Sequence, residues 1–231
     1  MRMFISVIVL AVAFSACSPS KPKVNDKDAL TRLLEGNRRF MEGHPVHPDQ
    51  TLERIRELKK GQHPFAVIVS CSDSRVPPEV IFDQGLGDIF SVRTAGNVIG
   101  DYELGSIEYA VEHLGCQLII VLGHEQCGAV SAFLQHESDT HHDHIQSILH
   151  YLESEPEEKA LPDSLKHSLY TAIQANILHG VRLLRTSEPV LRPLAEAKKL
   201  TITGALYQIE TGKVVILDSL NDLASHDSIR Q

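Results

Sequence analysis

A chain of 231 residues, 42% of them hydrophobic, has enough apolar material to bury one core without a disulfide framework, and only residues 27 to 220 or so carry sustained hydrophobic periodicity. Asp and Glu number 30 against 22 Lys and Arg, a net charge of −8, and the basic residues are scattered rather than gathered on one face, which argues against nucleic acid as a partner. Trp is absent and aromatics are few, so the core should be mostly aliphatic.

The chain opens with MRMFISVIVLAVAFSAC: Arg2, an apolar run from Met3 to Phe14, then Ser15 and Ala16 before Cys17. That pattern predicts an export signal over residues 1–16, since the run falls short of the ~20 apolar residues that span a bilayer. Phe14-Ser15-Ala16-Cys17 resembles a bacterial lipobox, with Phe14 where leucine is commonest. The resemblance implies acylation of Cys17, a membrane-anchored lipoprotein and a cell-envelope or periplasmic location. Residues 17–25 carry two prolines and no apolar pattern, as a tether would.

From Asp26 to Met41, the residues Ala29, Leu30, Leu33, Leu34 and Phe40 recur at helical spacing, predicting an amphipathic helix. A short helix is expected over Leu52–Lys60. The continuous apolar run Phe65–Ser70 then reads as a strand buried on both faces. Like signatures return at Ile89–Arg93, Gln117–Gly123 and Leu200–Ile209, with a hairpin partner at Lys213–Leu217. Helical patterns lie between them at Tyr102–Leu114, Gln126–Gln135, Ser164–Leu184 and Pro189–Lys199. Alternation of this kind predicts an α/β fold: a central, mainly parallel β-sheet flanked by helices, with an N-terminal helical extension, over residues 26–220 and followed by a tail at 221–231.

Sites in such sheets lie beyond the carboxyl ends of the strands. Cys71-Ser-Asp73-Ser-Arg75 follows the first strand, and Gly123-His124-Glu125-Gln126-Cys127-Gly128 the third. Two thiolates and an imidazole, Cys71, Cys127 and His124, form a borderline-soft donor set that suits Zn²⁺ and leaves a fourth position open. A disulfide between Cys71 and Cys127 is the rival reading for an exported protein, but it leaves His124, Asp73 and Arg75 unexplained. Arg75 can hold the Asp73 carboxylate by a bidentate pair and keep it from competing for the metal. Two thiolates give the metal more negative charge than three imidazoles would, so bound water should ionise less readily and activity should rise toward alkaline pH. Cys116 has no partner motif and reads as a small buried hydrophobe.

The strings CSDSRVPPE, RTAGN, GSIEYAVEHLG and VLGHEQCGAV, in this order, resemble the β-class carbonic anhydrases from Lys27 to Leu217. The resemblance implies one Zn²⁺ per chain on Cys71, His124 and Cys127. It implies reversible hydration of CO₂ to bicarbonate by hydroxide at the fourth position, which Asp73 takes in the closed form of some members. Asp73 and Arg75 would be the catalytic pair. Gln62 would donate to substrate, and Phe90, Ala95, Tyr109 and Gly128 would line the pocket. A homodimer or homotetramer is implied, with the helix at Asp26–Met41 on a neighbouring subunit and the pocket near the boundary. The regulated branch carries Trp where this chain has Ile68, beside Arg93 and Tyr207, so the resemblance points to the unregulated, open branch.

Two alternatives remain on the sequence alone. The same hydroxide could hydrolyse carbonyl sulfide or carbon disulfide, or the chain could be a noncatalytic zinc-holding envelope protein. The second draws on the His136, His141, His142, His144 and His150 cluster, which otherwise reads as a solvated loop.

Overall fold

The computed structural model describes residues 26–135, 143–159 and 167–217. Five strands form one sheet: β1 (Ala66–Cys71), β2 (Ile89–Thr94), β3 (Leu118–His124), β4 (Thr201–Tyr207) and β5 (Val214–Leu217), in the order β2-β1-β3-β4-β5. All neighbours run parallel except β5, which returns antiparallel to β4 after a tight turn. The central strands β1 and β3 are buried along their whole length, as their unbroken apolar runs require. The predicted α/β class, with its mainly parallel sheet and N-terminal helix, is the observed one.

Strand boundaries differ from the sequence reading in one way that matters. β1 and β3 each run one residue further, so that Cys71 and His124 end the strands instead of following them. Cys71 pairs with Thr94 and His124 with Tyr207, and these neighbours fix the backbone of both residues in the sheet.

Helices cover both faces: α1 (Asp26–Met41), α2 (Leu52–Leu58), α3 (Pro78–Ile81), α4 (Asp101–Glu112), α5 (Gly128–Leu134), α6 (Ile145–Ser154), α7 (Pro156–Lys159), α8 (Leu169–Thr186) and α9 (Leu191–Glu196). The α6 helix begins directly after the histidine-rich stretch and takes in His150. Ile145, Ile148, Leu149 and Leu152 stand at helical spacing and bury one side of it. His144 caps α6 and His150 lies within it; His136, His141 and His142 fall outside the described residues, as do residues 1–25, Cys17 among them, and 218–231.

The long helix α8 seats on the sheet by close approach at two glycines. A Cβ at Gly123 would stand 2.5 Å from Ile177 Cδ1, and one at Gly204 2.7 Å from Ile177 Cγ2. The α1 helix spends the face carrying Ala29 and Leu33 inside its own chain. Asn37 pins it there, donating to Gly212 O at 2.8 Å and accepting from Val214 N at 2.9 Å. Whatever α1 offers a neighbouring subunit is therefore its other side. Among the described residues no helix is long and apolar enough to cross a membrane.

Candidate metal centre

The carboxyl ends of β1 and β3 deliver Cys71 and His124 to the same edge of the sheet. A sharp turn then brings the chain back: Gln126 takes φ 57° and Cys127 becomes the first cap of α5. The ligand atoms of Cys71, His124 and Cys127 all lie within 4.8 Å of one another, and all three residues are buried. Cys71, Cys116 and Cys127 are free thiols, which removes the disulfide rival. Cys116 is buried with its Sγ 3.3 Å from Pro64 O, as a small core residue.

The donors fit a divalent cation. His124 Nδ1 lies 2.8 Å from the Glu125 carbonyl, which can only accept, so the proton sits on Nδ1 and Nε2 presents its lone pair. That Nε2 is buried without a hydrogen-bond partner, the state a metal ligand would leave once its ion is removed. Cys71 is held far below the ordinary thiol range, at about 4, by the hydrogen bond from Cys127, helped by the backbone N–H groups of Asp73 and Gly96 against the cost of burial. Cys127 is pushed up by the same contact with Cys71 and by burial. A divalent cation such as Zn²⁺ would let both sulfurs ionise.

The Asp73–Arg75 pair stands beside this triangle. Arg75 Nε donates to Asp73 Oδ1 at 2.9 Å and Nη2 to Oδ2 at 2.8 Å, with the Arg75 backbone N–H on Oδ1 at 2.9 Å. These contacts, the guanidinium first, lower the Asp73 carboxyl to about 2. Asp73 Oδ2 lies 3.9 Å from His124 Nε2. Arg75 also donates to Gln126 O at 3.3 Å, so one side chain ties the two motif loops together.

Two further groups belong to the RTAGN string, to which no metal-centre role was attached. Gly96, at φ 69°, gives its N–H to Cys71 Sγ at 3.3 Å. Arg93, which the sequence reading linked only to a regulatory site, donates to Cys71 O at 3.1 Å and Asp73 O at 2.8 Å and so holds the first motif loop onto β2.

The expected substrate residues divide. Gly128 opens α5 directly after Cys127, and a Cβ there would meet nothing within 4 Å. Ala95 begins the 3-10 turn Ala95–Asn97 after β2, at the same end of the sheet. Phe90, by contrast, pairs with Val67, four residues before Cys71, which at 3.3 Å per residue puts it ~13 Å along the strand. Tyr109 stacks on Phe90 with ring centroids 6.4 Å apart, and Gln62 is exposed in the loop before β1. Within one chain these three stand at the amino end of the sheet and do not join the metal centre.

The fold and donor set define an α/β metalloprotein with a dithiolate–imidazole centre at the strand ends. Residues 66–214 match the family model described as carbonic anhydrase. The chain is 38% identical over 210 residues to carbonic anhydrase 2 of Mycobacterium tuberculosis, covering 87% of this chain and 98% of the relative. Its identity to a carbonic anhydrase of Mycolicibacterium smegmatis is also 38%, over 211 residues, with 87% and 98% covered. Among solved structures, the β-carbonic anhydrase CcaA aligns with a TM-score of 0.61 at 29% identity, over 82% of this chain and 95% of that one. One of two tetrameric β-carbonic anhydrases of Sordaria macrospora aligns at 0.62 and 26%, over 83% and 98%. The chain belongs to the β-class carbonic anhydrases.

Proposed function

We propose that this protein catalyses the reversible hydration of CO₂ to bicarbonate and a proton, with one Zn²⁺ held by Cys71, His124 and Cys127. The observation that carries the reading is the enclosed triangle with its partnerless His124 Nε2, set beside a carboxylate locked by Arg75. Bound zinc supplies Lewis-acid activation, lowering the pKa of water to near 7 in favourable sites.

The residues do the rest. Asp73 Oδ1 is taken by two Arg75 N–H groups, whereas Oδ2 takes one and keeps acceptor capacity on the side of His124. A carboxyl with a pKa of about 2 stays ionised at neutral pH, so Asp73 orients a nucleophile by accepting its hydrogen bond and does not carry the proton away. Arg75 keeps Asp73 in that role. Hydrolysis of carbonyl sulfide or carbon disulfide has no observation in its favour, and a storage site would not need the pair. Stopped-flow CO₂ hydration on zinc-loaded wild type and Asp73→Ala tests the reading: roughly 10²-fold slower turnover with zinc retained is expected. A wild type no faster than the variant would refute it.

The positions of Gln62, Phe90 and Tyr109 support a pocket completed by a second copy, in a homodimer or homotetramer. Tyr102 and Tyr109 are exposed on α4, and β2 is an edge strand. The sequence of residues 1–17 supports export and a lipid anchor on Cys17 in the cell envelope. Radiolabelled palmitate should enter the wild type and not Cys17→Ser; an unlabelled wild type would leave plain secretion.

A further inference from the structure

Asn176 lies on α8, 80 residues from the 3-10 turn in sequence and almost wholly buried, and its Nδ2 donates to Gly96 O at 2.8 Å. Gly96 in turn gives its N–H to Cys71 Sγ. Thr94 Oγ1 closes the turn by donating to Val98 O at 2.7 Å, but that bond grips neither peptide group of Gly96. Gly96 sits at φ 69° and ψ 20°, where a glycine is required, and a Cβ there would come within 3.0 Å of Ala129 Cβ on α5. A glycine carries no side chain to anchor itself, so within the packed turn its two peptide groups rely on their own hydrogen bonds to hold their orientation. Asn176 grips one, and the Cys71 sulfur receives the other.

We infer that Asn176 is a positioning residue of the metal centre: through Gly96 O it fixes the backbone N–H that hydrogen-bonds the Cys71 sulfur, and so sets how much charge that sulfur gives the metal. A hydrogen bond to a ligating sulfur draws negative charge off it. The other backbone donor to Cys71, the Asp73 N–H at 3.4 Å, is held independently, because Arg93 binds Asp73 O. Loss of Asn176 therefore loosens one of two donors and leaves the three ligands intact. The inference rests on Cys71 being a zinc ligand.

Cobalt substitution gives the test, since zinc has no spectrum of its own. In Co²⁺-loaded Asn176→Leu, which keeps the branched shape and removes the donor, the thiolate-to-cobalt charge-transfer band should move to lower energy than in wild type. Zinc release to a chelator should quicken by roughly tenfold. Gln174→Leu is the control: Gln174 is buried on the same helix and its amide atoms have no hydrogen-bond partner. That variant should keep the wild-type band. If Asn176→Leu does not fold, Asn176→Ser, too short to reach Gly96 O, carries the same expectation. An unchanged band and release rate in the Asn176 variant, or an equal change in Gln174→Leu, overturns the inference. A wild type that holds no zinc and hydrates no CO₂ would instead refute the proposed function.

Discussion

At the carboxyl end of the sheet, every group of the metal centre comes from one chain and is fixed by neighbours within it; at the amino end, Gln62, Phe90 and Tyr109 lie exposed or half-exposed with no metal to serve. The first end is enclosed because its ligands must be held without competing partners. The second carries the exposed Gln62 and Tyr109, and in the proposed function a second copy brings them to a centre.

The largest effect expected at the enclosed end comes from removing a ligand. His124→Ala should leave zinc below roughly a tenth of one ion per chain after dialysis, with hydration near background, because ligand loss exceeds the 10- to 100-fold cost of an outer partner. Metal analysis beside stopped-flow assay checks it. Mixing two defective chains probes the open end. Cys127→Ser has no working centre, and a Phe90→Ala, Tyr109→Ala chain has no aromatic wall. If each wall serves the neighbouring centre, half the mixed dimers' sites are intact and the mixture should recover about a quarter of wild-type activity. No gain over the average of the two separate preparations would place centre and wall in one chain.

Smaller effects distinguish the two sides of the enclosed end. Gly123→Ala drives a methyl into Ile177 one residue before His124 and should cost about 1–3 kcal/mol in denaturant unfolding, whereas Gly128→Ala, with nothing nearby, should stay within about 0.5 kcal/mol. The smallest is a pH effect. Asp73 has a depressed carboxyl pKa, so its stabilising contribution is complete above the ordinary carboxylate range and is lost as pH falls through about 2. Arg75→Gln should raise that pKa and flatten this part of the acid-unfolding curve.

The sheet was legible because buried parallel strands leave continuous apolar runs, and the ligands because they stand at the ends of two such runs. The boundary error of one residue at Cys71 and His124 arose where the apolar run stops but the ladder continues, into Thr94 and Tyr207. The α6 helix escaped because histidine and aspartate before it drew attention from the spacing of Ile145, Ile148, Leu149 and Leu152. Gly96 lay within the RTAGN string, but its link to Asn176, 80 residues away, gave no local signal. Phe90 and Tyr109 were expected to line the pocket by resemblance; their distance from the ligands within one chain depends on the strand register, which required the sheet.

CO₂ hydration by this chain depends on zinc held by Cys71, His124 and Cys127, and titrating Zn²⁺ into metal-stripped protein while following hydration tests that dependence. Activity should rise linearly from background and break at one zinc per chain; full activity in the stripped protein, or one bound zinc with no hydration, would show the dependence to be wrong.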